Sequence, residues 1–176
     1  LFASLRDTNL LIYCAYIATV LVWQFVWGGH IQVYWHSPVS DWLNQHTDLL
    51  FVVVALAAGI FTFTFLDVRQ NAPKAARLIM GILLINVLLG LASLGNFLDP
   101  AWQNNAVYLV SMLAISSYLY AGYESYANQF KPARYFVFAW SILLTAALAG
   151  MLGLLGWLPT NFLTTYCFQM GVFVEA

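Results

Sequence analysis

The stretch 69–98, RQNAPKAARLIMGILLINVLLGLASLGNFL, decides the fold. Its first part contains the cations Arg69, Lys74 and Arg77, and the rest is an apolar run without a charged residue. About 20 residues of α-helix cross the ~30 Å of hydrocarbon in a bilayer, so the run has the length of a membrane span. The stretch therefore predicts a transmembrane helix with a basic loop at its start.

The same arrangement repeats along the chain. All 6 Lys and Arg residues fall in alternate gaps between long apolar runs, whereas the gaps around 29–47, 99–105 and 158–165 contain none. Short loops rich in Lys and Arg remain in the cytoplasm during insertion. The pattern predicts a multi-pass membrane protein whose loops 67–75 and 124–134 are cytoplasmic. The six cations are Arg6, Arg69, Lys74, Arg77, Lys131 and Arg134.

The predicted fold class is an all-α integral membrane protein, a helical bundle that forms one transmembrane domain over residues 1–176. The chain is 62% hydrophobic and 7% charged, which is too apolar for a soluble domain of this size. The alternating ~10-residue segments of a transmembrane β-barrel do not occur. Five complete spans are predicted at about 9–27, 48–66, 76–98, 106–123 and 135–157.

Both ends of the sequence predict a fragment of a larger bundle. Leu1–Leu5 resembles the end of an earlier span, and a partial span begins at about residue 162. With the basic loops inside, these pieces predict a seven-span protein whose N-terminus is outside and whose C-terminus is inside.

Polar residues within the spans are few. The complete spans contain no charged residue away from their ends, since Arg77 and Asp48 lie at span starts, and Glu175 in the partial last span is the exception. Gln24, Asn86 and Asn96 are predicted to form interhelical hydrogen bonds, and the small pair Ala55/Gly59 a close helix contact. If Gln24, Asn86, Asn96 and Ser93 lined one cavity, they would instead favour a small-molecule transporter or channel subunit.

The three histidines are the metal-ligand candidates. His30, His36 and His46 all lie in the first Lys- and Arg-free gap, along with Asp41 and Asp48 at its edge. They would be the members of a lipid-modifying enzyme site, a divalent-ion site or a pH sensor, because His titrates near neutrality. A solvated loop is the default interpretation. We predict no catalytic site, no cofactor and no nucleic-acid partner for the chain.

Three motifs in the second half resemble a known family. They are P-A-R-Y-F-V-F-A-W at 132–140, G-W-L-P-T-N at 156–161, and Q-M-G at 169–171 followed by Glu175. These motifs resemble the membrane module of bacterial seven-transmembrane receptors with diverse intracellular signalling modules. The resemblance extends over nearly the whole chain.

The resemblance implies a receptor function in the bacterial inner membrane. In that family an extracytoplasmic β-rich domain precedes the spans, and a cytoplasmic output domain of two-component or cyclic-dinucleotide signalling follows them. The spans would pass a signal between the two, in a homodimer surrounded by membrane lipids, with the ligand unknown. Within the motifs, Arg134, Trp140 and Glu175 are the candidate coupling residues.

Overall fold

The computed structural model describes residues 8–35, 37–95, 97, 99–154 and 159. Every regular element in these residues is a helix, as predicted. The helices are α1 Thr8–Trp27, α2 His30–Tyr34, α3 Pro38–Gln45, α4 Thr47–Phe65, α5 Val68–Asn71, α6 Pro73–Leu94, α7 Pro100–Ala127 and α8 Ala133–Leu154.

Among the described residues, 4 helices are long and apolar enough to cross a membrane. They are α1, α4, α6 and the part of α7 from Asn105 to Ala127, and the shorter stretch Ala133–Ala146 of α8 is also apolar. These elements confirm the predicted class, a helical membrane bundle. The partial span predicted from residue 162 lies outside the described residues.

Successive long helices run antiparallel, and α4 and α7 are at the centre of the bundle. Helix α4 packs against α1, α6 and α7, while α7 also packs against α8. The start of α4 meets the end of α6, where the side chain of Ser93 donates a hydrogen bond to Asp48. The start of α6 meets the end of α7, where the backbone N–H of Ala75 donates a hydrogen bond to Glu124. The described Lys and Arg residues therefore share one end of the bundle, called here the basic end; the other is the Lys/Arg-free end.

Helix α7 begins earlier than the apolar run suggests. Its first residue is Pro100, ahead of the predicted start at 106. The backbone N–H of Trp102 donates to Asp99 Oδ1 at 3.4 Å, and proline suits the first helical position because its φ is already helical. The polar residues 103–105 are thus part of the helix, and α7 is 28 residues long.

The gap between the first two long helices contains two short ones. Gly29, between α1 and α2, has a φ of 71°, a conformation that side chains with a Cβ rarely adopt. Helix α3 begins with a capping box, in which the side-chain oxygens of Ser37 and Ser40 each accept a hydrogen bond from the backbone N–H of the other residue. This segment stays close to the helix ends and packs against α1 and α4.

Helix α6 buries a face of mostly small residues with two polar ones against the bundle and exposes an apolar face outward. Its buried residues include Ile79, Asn86, Gly90 and Ser93, which recur at helical spacing. The reverse distribution, apolar inside and polar outside, is usual in a soluble protein. An outward apolar face is what a bilayer requires, and it consists of Leu78, Met80, Leu84, Ile85, Leu88 and Leu91.

Candidate functional site

A buried carboxylate joins three helices at the Lys/Arg-free end. Asp48, in the first turn of α4, is 5% exposed. Its Oδ2 atom accepts hydrogen bonds from Ser93 Oγ at 2.6 Å and from Gln103 Nε2 at 3.0 Å. A carboxylate removed from water requires such partners. We call Asp48, Ser93 and Gln103 the carboxylate cluster; it connects α4, α6 and α7.

Sequence reasoning missed this cluster because it treated its members separately. Asp48 stands at the start of the predicted span 48–66, next to the gap with the histidines, and Gln103 stands in the gap at 99–105. The dipeptide Asp99-Pro100 is a typical helix start and could have extended α7 to include Gln103. The pairing across three helices has no signal in the sequence.

An aromatic layer lies next to the carboxylate cluster and adds α1 to the contacts. The ring centroids of Phe51 and Trp23 are 4.9 Å apart, and those of Phe51 and Tyr108 are 5.3 Å apart. The ring of Trp27 meets Tyr108 edge-on at 6.0 Å. Such pairs stabilise by about 0.5–1.5 kcal/mol beyond their buried area. Of the tryptophans near this end, Trp23 is therefore a packing residue, whereas Trp35 and Trp102 are exposed.

A second aromatic group fills the bundle toward the basic end. Trp140 of α8 is 1% exposed, stacks on Phe136 at 4.9 Å and meets Tyr118 of α7 edge-on at 5.4 Å. Tyr16 of α1 stacks near Trp140 at 6.2 Å and on Phe61 of α4 at 5.8 Å. These five residues, the aromatic core, connect α1, α4, α7 and α8. Trp140, one of the candidate coupling residues, is a central member.

The pair Ala55/Gly59 allows α7 to approach α4, as predicted for small residues. Tyr118 Oη donates a 2.7 Å hydrogen bond to the carbonyl oxygen of Ala55. A Cβ atom at Gly59 would lie 3.1 Å from Tyr118 Oη and 2.8 Å from Leu83 Cδ1. The close contact therefore depends on glycine at this position.

Two hydrogen bonds connect the loops at the basic end. The backbone N–H of Ala75, in the first turn of α6, donates to Glu124 Oε2 at 3.1 Å. Asn128 Nδ2 donates to the carbonyl oxygen of Asn71 at 2.7 Å. A carboxylate suits the first turn of a helix, where backbone N–H groups lack intrahelical partners. We call Asn71, Ala75, Glu124 and Asn128 the loop junction.

The polar residues of the transporter hypothesis lie apart from a small cavity in the centre of the bundle. Asn86 Oδ1 accepts from Ser111 Oγ at 3.3 Å, which confirms an interhelical hydrogen bond between α6 and α7. A cavity of about 20 Å³ lies between Tyr16, Phe51, Ser111 and Trp140, but Gln24, Asn86 and Ser93 are not among its lining residues. That volume holds about one water molecule. Asn96 lies outside the described residues.

The histidine candidates are not brought together where the structure describes them. His30 packs beside Phe25 with ring centroids 5.8 Å apart, and His46 stacks on Trp42 at 4.6 Å. His46 Nδ1 lies 3.0 Å from the carbonyl oxygen of Trp42. Within residues 8–35, 37–95 and the later described segments, no group of three His, Cys, Asp or Glu side chains could hold a metal ion. His36 is outside these segments.

The other two candidate coupling residues have different positions. Arg134 is exposed at the start of α8; its guanidinium lies 4.5 Å from the Tyr135 ring centroid and donates to Tyr135 Oη. Its position is at the surface of the basic end. Glu175 lies outside the described residues.

The apolar spans and their packing define a multi-pass helical membrane protein. The sequence model of the family described as 7TM diverse intracellular signalling matches residues 1–176, which is the whole chain. The chain belongs to this family of seven-transmembrane signalling receptors, as its motifs indicated. Comparison with curated proteins and with solved structures found no match.

Proposed function

We propose that residues 1–176 are the transmembrane transducing module of a bacterial receptor in the inner membrane. The module passes an extracytoplasmic signal to a cytoplasmic output domain, which contains any catalytic activity. It works as a homodimer. Its basic end faces the cytoplasm, because loops rich in Lys and Arg are retained there.

Helix α7 is the observation that carries this proposal. It contributes Gln103 to the carboxylate cluster, Tyr118 to the aromatic core and Glu124 to the loop junction. A helix of 28 residues is about 42 Å long at 1.5 Å per residue, which exceeds the hydrocarbon thickness. A movement at its Gln103 end is therefore transmitted to the Glu124 end as a displacement of one rigid element. Helix α4 supports the same path through Asp48 and Ala55.

Spin labels on the full-length protein test this coupling. Labels at Gln70→Cys and Tyr126→Cys report the distance between the two loops of the basic end, since both positions are exposed. The substitution Asp48→Ala should shift this distance distribution, and Asp41→Ala, at an exposed position of α3, should not. An unchanged distribution in a folded Asp48→Ala protein would contradict transmission along α7.

The output domain is tested by the intact mass of the protein isolated from its native membrane. Residues 1–176 account for 19.7 kDa. We expect a mass well above this value, with a signalling domain in the additional sequence. A mass close to 19.7 kDa would contradict the receptor assignment.

A further inference from the structure

The cations of the basic end are exposed at the surface of the bundle. Arg69 lies on α5, Lys74 and Arg77 in the first turns of α6, Lys131 in the α7–α8 loop, and Arg134 at the start of α8. All five residues are exposed. Retention of basic loops during insertion explains their side of the membrane, but it does not require them to lie next to one another.

The loop junction brings together the two segments that contain the cations. Asn71, two positions after Arg69, accepts the 2.7 Å hydrogen bond from Asn128, three positions before Lys131. Ala75, directly after Lys74, donates to Glu124 on α7. The segments 67–77 and 124–134 thus form one continuous surface although they are far apart in sequence.

This surface has an excess of positive charge. The two segments contain five cations and two acids, Asp67 and Glu124, so their net charge is +3. Glu124 is directed to the backbone N–H of Ala75. Within the described residues, no carboxylate forms an ion pair with Lys74, Arg77 or Lys131. These cations are therefore available to an anionic partner.

Exposed tyrosines place the same surface at the level of the lipid headgroups. Tyr123, Tyr126 and Tyr135 are 64%, 54% and 64% exposed, and the Arg134 guanidinium covers the ring of Tyr135. Tyrosine is enriched at membrane–water interfaces, where its ring lies in an apolar layer and its hydroxyl is hydrated. Cations at this depth are at the level of the lipid phosphate groups.

We propose that the two basic loops form a single binding site for the headgroups of anionic phospholipids such as phosphatidylglycerol. Lys/Arg clusters next to membrane helices attract anionic lipids, with a contribution from each cation near the surface. The site lies beside the loop junction, so a bound phosphate holds the two loops together at the end of the module that faces the output domain. Its assignment to the cytoplasmic leaflet and to the side of the output domain rests on the proposed function, whereas the binding itself does not.

Lipid titration of the full-length protein in phosphatidylcholine nanodiscs tests this site. Phosphatidylglycerol binding should weaken about fivefold for each removed charge, roughly 25-fold in a Lys74→Gln/Lys131→Gln double variant. The matched Lys74→Arg/Lys131→Arg variant should bind as tightly as the unmodified protein. Thermal unfolding in pure phosphatidylcholine verifies that both variants are folded. Soluble glycerophosphoglycerol at the same concentration should not displace the lipid, because it lacks the acyl chains that hold a headgroup at this depth.

Three results would overturn the proposal. One is equal binding of phosphatidylglycerol by the Gln variant and the unmodified protein. Another is a lipid titration with two independent sites, of which Lys74→Gln alone removes one and Lys131→Gln alone removes the other. This result would mean that the two loops bind lipid separately. The third is no preference of the unmodified protein for phosphatidylglycerol over phosphatidylcholine, which would leave an acidic segment of a protein as the partner. None of these results bears on movement along α7, which the spin labels measure separately.

Discussion

The Tyr118 hydroxyl donates a 2.7 Å hydrogen bond to the carbonyl oxygen of Ala55 and so joins the two central helices, α7 and α4. Both residues are buried, and the bond lies beside the small pair Ala55/Gly59. Hydrogen bonds between membrane helices act together with close packing, because apolar contact with lipid competes equally well with apolar contact between helices. This bond therefore identifies the contact on which the centre of the bundle depends.

Replacing Tyr118 by Phe should lower the free energy of unfolding by about 0.5–1.5 kcal/mol. The ring remains in the aromatic core and only the hydroxyl is lost. Tyr120, which is exposed on the same helix, provides the control, since Tyr120→Phe removes a hydroxyl that faces outward. Equilibrium unfolding in mixed micelles compares the two variants, and an equal effect in both would show that the bond to Ala55 contributes nothing.

The substitution Gly59→Ala should destabilise the bundle by about 1–3 kcal/mol, because the new Cβ requires α4, Leu83 or Tyr118 to move. Gly81→Ala is the matched control on α6, where an added Cβ meets nothing within 4 Å. Alanine there should be neutral or stabilising by up to about 1 kcal/mol, as its helix propensity is higher. Similar unfolding curves for the two variants would argue against the close approach at Gly59.

Removing the carboxylate in Asp48→Ala should cost about 1–3 kcal/mol, because Ser93 and Gln103 then have buried polar atoms without their acceptor. Asp48→Asn should cost less, since an amide oxygen in the place of Oδ2 can still accept both bonds. The control Asp41→Ala lies in an exposed position and should change stability by no more than about 0.5 kcal/mol. If Asp48→Ala unfolds at the same denaturant concentration as Asp41→Ala, the cluster does not join the helices.

Trp140→Ala should be the most damaging single substitution, by about 3–5 kcal/mol, because it leaves a cavity beside Tyr16, Tyr118 and Phe136. Trp102→Ala, at a residue that is 76% exposed, should have little effect on the same unfolding measurement. The change in near-ultraviolet circular dichroism should also be larger for Trp140, whose indole is held among other rings. If Trp140→Ala lowers the free energy of unfolding only slightly, this indole does not contribute to the stable core.

Orientation is tested by labelling single cysteines in cells after Cys14 and Cys167 are replaced by Ser. Gln70→Cys at the basic end should react only after the cytoplasmic side is opened, and Gln45→Cys at the Lys/Arg-free end should react from outside. Labelling of position 70 from outside would show the opposite orientation and contradict the proposed direction of signalling.

Helix existence was predictable in this chain, but helix boundaries were less so. Long apolar runs identify spans because the bilayer requires a fixed length of apolar helix. They do not identify polar helix extensions, so residues 103–105 of α7 and the short helices α2, α3 and α5 were assigned to loops. Capping signals at Asp99-Pro100 and Ser37-Pro38 contained part of this information.

The candidate site was less predictable than the fold. Asn86 and the Ala55/Gly59 pair form the predicted interhelical contacts, whereas the prediction for Gln24 is wrong, because its Nε2 is buried without a hydrogen-bond partner among the described residues. Asp48 begins the predicted span 48–66, but its position at the edge of a loop gives no sign that it is buried, and Trp140 is singled out only through a motif. A residue at the end of a span can face water or the bundle, and its immediate sequence is the same in both cases.

The sequence by itself determined the class of the protein, the alternation of its helices and the common end of its cations, because transfer of polar groups into hydrocarbon depends on residue type and run length alone. The tertiary structure decided which residues meet: Asp48 with Ser93 and Gln103, Tyr118 with Ala55, and Glu124 with Ala75. Apolar helices resemble one another in composition, so their partners and rotations follow from small residues and polar pairs that match only when the helices are packed together.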